Sequence, residues 1–191
     1  ILHVTTGNDR IPAGHTLMLS GNGKNGVMNR AAAVHGQLVE ASGVLLERGT
    51  MDMMQVRGGN NGLKSVDGTA EIPAPVDLGR WKLAGEICDG KCLAGAMRPG
   101  RGLAHKACAN LCLIGDIPPV MALTGPVEGQ MFMLIGGPDG GPMPASMLDR
   151  TSVLVEIEGR VMRRGDLLLA SMSGVLMSLF FSLPPLSSPS V

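Results

Sequence analysis

The chain is poor in aromatic residues: among 191 positions there is no tyrosine, one tryptophan (Trp81) and three phenylalanines. β-Sandwiches normally pack on aromatic anchors, so a conventional aromatic core is excluded. Net charge is absent too, with 16 basic residues against 16 acidic ones. No field therefore draws the protein toward nucleic acid or an anionic surface, which argues against a steered polyanion binder. No stretch reaches the roughly 20 apolar residues needed to cross a bilayer as a helix. The closest, residues 174–183 (GVLMSLFFSL), stops at Pro184 and Pro185. The chain begins with Ile1 rather than methionine, which fits a processed chain or a fragment whose leader or anchor is missing.

What is present is glycine (28), proline (13) and methionine (14), with abundant Val and Leu. This composition predicts an all-β protein of many short strands joined by tight turns. Strand signals cover Thr16 to Ser20, Gln37 to Glu47, Thr50 to Val56, Trp81 to Cys88, Gln130 to Ile135, Thr151 to Arg163 and Asp166 to Ala170. Each is an apolar or alternating run bounded by Gly, Pro, Asn or Asp. Only Asn29 to Val34 and Ala104 to Leu113 read as helical. Met51, Met53, Met54, Met131 and Met133 alternate within strand signals; soft-metal capture is one use for them, core filling the commoner one.

An internal echo organises the chain. Val39-Glu40-x-x-Gly43-x4-Arg48-Gly49 returns as Val155-Glu156-x-x-Gly159-x4-Arg164-Gly165. The physical reading is a hairpin whose first strand bends at a glycine and whose Arg-Gly pair makes the turn. Two copies predict two related small β-domains, residues 1–76 and 77–173, joined near Ala70 to Leu78, where EIPAPVDL has linker prolines. Residues 174–191 form a separate apolar, then Ser/Pro-rich tail.

All four cysteines lie between Cys88 and Cys112 as two C-x3-C pairs, with His105 three residues before Cys108. The surrounding residues Gly85-Glu86-Ile87, Asp89, Lys91-Cys92, Met97, Pro99-Gly100, His105, Cys108-Ala109, Cys112 and Ile117-Pro118-Pro119 form a pattern. It resembles an exported, largely uncharacterised bacterial β-domain family with G-E-I-x-D-x-K-C, M-x-P-G, H-x-x-C-A-x-x-x-C and G-I-P-P motifs. The match reaches more loosely to Gly21-x-Gly23-Lys24-x-Gly26 and both V-E-x-x-G hairpins. The resemblance implies export, a periplasmic or extracytoplasmic position beside a membrane, and compact barrels similar to an oligonucleotide/oligosaccharide-binding (OB) fold. Two departures stand out: Cys88 replaces a usual aliphatic residue, and Asp116 a common second glycine. If Cys88 is an extra, the family-level set is Cys92, His105, Cys108 and Cys112.

That set, three cysteines and one histidine, has the composition of a zinc or iron site. On a helix, His105, Cys108 and Cys112 fall on one face at i, i+3 and i+7, and a cysteine at a strand end completes the shell. An oxidising compartment favours disulfides instead: Cys92 with Cys108 or Cys112, or two bridges if Cys88 also pairs. Other chemistries find less support. There is no C-x-x-C-H for haem, Lys24 is followed by Asn25 and so makes no phosphate loop, and no triad or acid/base pair is found. Lys91, Arg98, Arg101 and Lys106 form a local basic cluster with two readings, a dock for an acidic partner or phosphate and, the usual one, a solvated loop. The expectation is a noncatalytic exported accessory subunit, without a cofactor, packing on protein subunits of a membrane-bound and bioenergetic assembly. The alternative is a metal-binding or redox protein that uses either the three cysteines with His105 or all four cysteines.

Overall fold

The computed structural model describes residues 1–48 and 51–176. Its strands are β1 (Leu2–His3), β2 (Thr16–Ser20), β3 (Val39–Ala41), β4 (Gly43–Leu46), β5 (Met53–Val56), β6 (Leu63–Ser65), β7 (Val76–Asp89), β8 (Pro119–Val127), β9 (Gln130–Gly136), β10 (Leu154–Arg164) and β11 (Leu167–Leu176). Two short α-helices, α1 (Met28–Ala33) and α2 (Lys106–Ile114), join them. The chain is all-β in character, as its composition predicts. The run expected over Gln37 to Glu47 divides at Ser42 into β3 and β4, which belong to different sheets. Strand β8 is not among the expected strands, because Pro118, Pro119, Gly125 and Pro126 punctuate it like a loop. Pro126 lies where the β8–β9 register shifts, between Ala122 and Val127, so it interrupts the ladder without ending the strand.

The C-terminal half closes into a five-stranded barrel in the order β10-β11-β9-β8-β7, with β7 returning to β10. The N-terminal half is an open four-stranded sheet, β1-β2-β5-β4, beside the two-stranded β3-β6 ribbon. Among the described residues no strand does for β4 what the start of β7 does for β10, so this sheet has nothing to close upon. The echo noted above nevertheless extends to pairing register. β4 meets β5 as Gly43↔Val56 through Leu46↔Met53, and β10 meets β11 as Gly159↔Met172 through Met162↔Leu169. The parallel pairs Met18↔Met53 and Leu134↔Leu169 repeat as well. Every partner lies 116 positions beyond its counterpart, as 159 lies beyond 43.

The repeated glycines show why this register holds. A Cβ on Gly43 would stand 2.2 Å from the Gln55 carbonyl oxygen, and one on Gly159 2.4 Å from that of Ser171. Each glycine lets the returning strand approach closer than any side chain permits. Gly159→Ala is therefore expected to lower stability by about 1–3 kcal/mol through overpacking against backbone, readable as a lower urea midpoint at unchanged slope.

Methionine fills the core where aromatics do so elsewhere: Met18, Met51, Met53, Met121 and Met133 are fully buried. The core-filling reading holds for Met51, Met53, Met54 and Met133, whereas Met131 points outward at 40 % exposure. Leu83, Ile87, Met121, Met133, Ile157, Val161 and Leu168 fill the barrel. A second cluster draws Met18, Met51 and Met53 from the N-terminal half together with Cys88, Cys92, Leu93, Cys112, Ile117, Val120 and Leu167. Alternation along β2 explains the sharing, since Met18 faces this cluster while Leu17 and Leu19 face a third one with Val27 and Val56.

A polar contact joins the halves at another point. His15 is held between Asp52 (Nε2 to Oδ2, 3.2 Å) and Asp166, whose other oxygen accepts the Thr16 N–H at 2.8 Å. His15→Ala leaves both carboxylates without this partner, and a loss of about 1–3 kcal/mol is expected in denaturant titration.

Candidate metal centre

The cysteine segment is an insertion between β7 and β8. β7 ends at Asp89, whose carboxylate accepts the Cys92 N–H at 2.8 Å and so starts a short helical turn, Cys92–Ala96. A 3-10 turn, Leu103–His105, then leads into α2. Cys108 and Cys112 stand one helical turn apart on α2 and share a face. The segment returns through Ile117, whose N–H donates to the Cys112 carbonyl at 3.0 Å, and Gly90 N–H closes it onto the Pro118 carbonyl at 2.9 Å.

Three thiols meet there. Cys92 Sγ lies 4.0 Å from Cys108 Sγ and 3.9 Å from Cys112 Sγ, and all three lie within 4.8 Å of one another. A disulfide requires about 2.05 Å. All four cysteines are free, so the expected bridges are not formed here. Both separations from Cys92 match those of sulfurs around one ion: at about 2.3 Å from each, the ion separates them by about 3.8 Å in a tetrahedron and about 4.0 Å in a flat triangle. Met97 Sδ approaches this group, accepting from Cys108 S–H at 3.4 Å.

The remaining sequence candidates lie to either side. His105 is buried and shares a hydrogen bond of 3.1 Å between Nε2 and Asp89 Oδ2. It forms a second potential ligand group with Asp89 and Cys92, so Cys92 is common to both groups while His105 is not placed with Cys108 and Cys112. Cys88 is fully buried on its own, donating toward Glu86 at 3.7 Å and 3.5 Å.

Two lysines complete the surroundings. Lys24 Nζ donates to Cys108 Sγ at 2.7 Å and to Cys112 Sγ at 3.6 Å. Lys91 runs the opposite way: its buried ammonium donates to the Gly21 and Gly23 carbonyls at 2.7 and 2.8 Å. The 21–26 loop is thus docked onto the cysteine segment by an exchange of lysines. The backbones touch as well, since Gly26 N–H donates to the Gly115 carbonyl and a Cβ on Gly115 would meet the Lys24 carbonyl oxygen at 1.9 Å. Sequence reasoning reads this loop as a turn and Lys91 as solvated. Burial overturns the second reading, because one residue of that basic cluster points inward while Arg98 and Arg101 stay exposed.

Electrostatics favour the neutral form of the Cys92 and Cys112 thiols. Burial, and secondarily the negative Asp89, pushes the Cys112 thiol up to about 11. The same causes move Cys92 well above the usual thiol range, and burial with the Glu86 charge does so for Cys88. Lys24 is held above its ordinary value, chiefly by its hydrogen bond to Cys108, while burial lowers Lys91. Protonated, enclosed thiols are poor nucleophiles but become ligands when a metal displaces their protons.

Fold and site together define a β-barrel protein with candidate Cys/His metal-binding groups. Comparison with known families, with curated proteins and with solved structures finds no match for this chain.

Proposed function

We propose that the protein is a noncatalytic metal-binding accessory protein. One thiophilic ion held by Cys92, Cys108 and Cys112 braces the end of β7 against α2 and the docked 21–26 loop. The observation that carries this reading is the convergence of three free thiols at 3.9 and 4.0 Å. The upward-shifted Cys92 and Cys112 thiols support a ligand role over a nucleophilic one. The test is metal titration of the reduced full-length chain: one ion per chain is expected, with binding lost in Cys108→Ser and retained in Cys88→Ser. Failure of any thiophilic ion to bind the reduced protein would sink the proposal.

The exported, OB-like reading belongs to the same proposal. Numbered within the barrel, its strands lie in the order first, second, third, fifth, fourth and back to first, with a 3-10 segment (Ala145–Arg150) before the fourth strand. That order supports reading the five-stranded barrel as one of the OB kind. The N-terminal half repeats four of its strands in equivalent order, which supports two related units. Docking on a membrane-bound protein assembly finds support in exposed apolar residues: Leu103 on the turn before α2 is 71 % exposed, and Leu111 and Ile114, at i and i+3 on α2, are 55 and 66 % exposed. With Leu111→Asp/Ile114→Asp, the protein is expected to wash from native membranes that retain the parent chain; equal retention removes this docking face.

A further inference from the structure

We infer that the ion is monovalent copper and that the Met97 thioether is its fourth ligand. This rests on the three-thiol reading above and narrows it.

The first argument is the donor inventory. Among the described residues, His105 and Asp89 bond to each other at 3.1 Å and are grouped with Cys92 but not with Cys108 or Cys112. The donors left around the triangle are sulfurs, namely Cys92, Cys108, Cys112 and Met97, the last 3.4 Å from Cys108 Sγ. Zinc sites draw on thiolate, imidazole and carboxylate. A set of thiolates plus a thioether is the choice of soft monovalent copper.

Position gives the second argument. Lys24 donates to Cys108 and Cys112, so one ammonium already faces the sulfurs where anionic charge develops when they become thiolates. The internal repeat isolates Lys24 further. The loop 137–142 occupies the place of 21–26, 116 positions on, and has Gly140 where the first copy has Lys24. The lysine is present in the copy that faces the thiols.

Access is the third argument. Cys92 and Cys112 are buried, but Met97 is 45 % exposed. A thioether at the rim of a buried thiolate triangle receives a soft ion from solvent or from a carrier and passes it inward.

The experiment uses the reduced full-length chain under anaerobic conditions, titrated with Cu(I) against a bicinchoninate competitor and separately with zinc against a chelating dye. Met97→Leu keeps volume and apolarity, and circular dichroism checks its fold. The expected result is one Cu(I) per chain with an all-sulfur shell by X-ray absorption. Met97→Leu is expected to lower Cu(I) affinity by about tenfold or more and to leave zinc affinity within about twofold. Nitrogen in the copper shell, or equal Cu(I) affinity in the parent chain and Met97→Leu, overturns the inference while the three-thiol site stands. A parent chain that binds neither metal overturns both.

Discussion

Replacing Cys92 by serine is expected to abolish metal-dependent stabilisation, while Cys88→Ser retains it. Cys92 is the one cysteine that belongs to both potential ligand groups, and it ties the end of β7 to α2. An ion present at a hundred times its dissociation constant adds about 2.7 kcal/mol to a protein that binds it only when folded. For a chain of this size that corresponds to a rise of about 5–10 °C in Tm. The measurement is a pair of thermal scans, with metal and with chelator, on parent, Cys92→Ser and Cys88→Ser. The increment between scans, not the absolute Tm, is the quantity compared, because either serine also perturbs packing. Equal increments in parent and Cys92→Ser would remove Cys92 from the site. Loss of the increment in Cys88→Ser would place the ion elsewhere than the triangle.

The second large effect is on pH. Cys92 and Cys112 hold their protons well above the ordinary thiol range, so metal must displace at least two protons at neutral pH. Apparent affinity is then expected to rise by about a hundredfold per pH unit between pH 6 and 8, with matching proton release in unbuffered calorimetry. The metal-free protein behaves in the opposite sense. A thiol whose folded pKa is raised leaves the folded state holding more protons than the unfolded state once pH passes the ordinary thiol value. Metal-free stability is thus intact below about pH 8.5 and declines above it, toward the raised Cys112 value of about 11. With metal bound, the ligand thiols have no proton to lose and their share of this decline should vanish, while that of Cys88 remains. An affinity that is flat from pH 6 to 8 would show that the ligands are not these thiols.

Much of the fold was readable before any coordinates. Period-two apolar runs bounded by glycine and proline located most strands, because a half-buried pleated strand leaves that signature wherever turn residues flank it. Strand β8 escaped because its prolines sit at the opening of the strand and at a register shift, positions that sheets tolerate but that a local reading takes for a loop. The echo was visible as spaced glycines. Its meaning needed the structure, since equal register depends on how close a partner strand comes, and sequence spacing carries no such distance.

The candidate site divides in the same way. Its cysteines were legible as a cluster, and the i, i+4 spacing of Cys108 and Cys112 follows from helix geometry alone. His105 shared that helical phase, yet it pairs with Asp89, a partner sixteen residues earlier that burial selects. Lys24 and Lys91 were invisible as site residues because each acts across the boundary between the repeats.

The amino-acid order alone determined the strand-rich architecture, the duplicated hairpin and the gathering of thiols into one segment, because each is written in spacings of a few residues. Tertiary structure decided the rest: which sulfurs converge, which histidine is turned aside, that the barrel closes in the second copy and that Lys24 reaches the thiols while Lys91 holds the facing loop. Those outcomes depend on separations of a few ångströms between residues as many as 88 positions apart, and only the packing of one half against the other sets such distances.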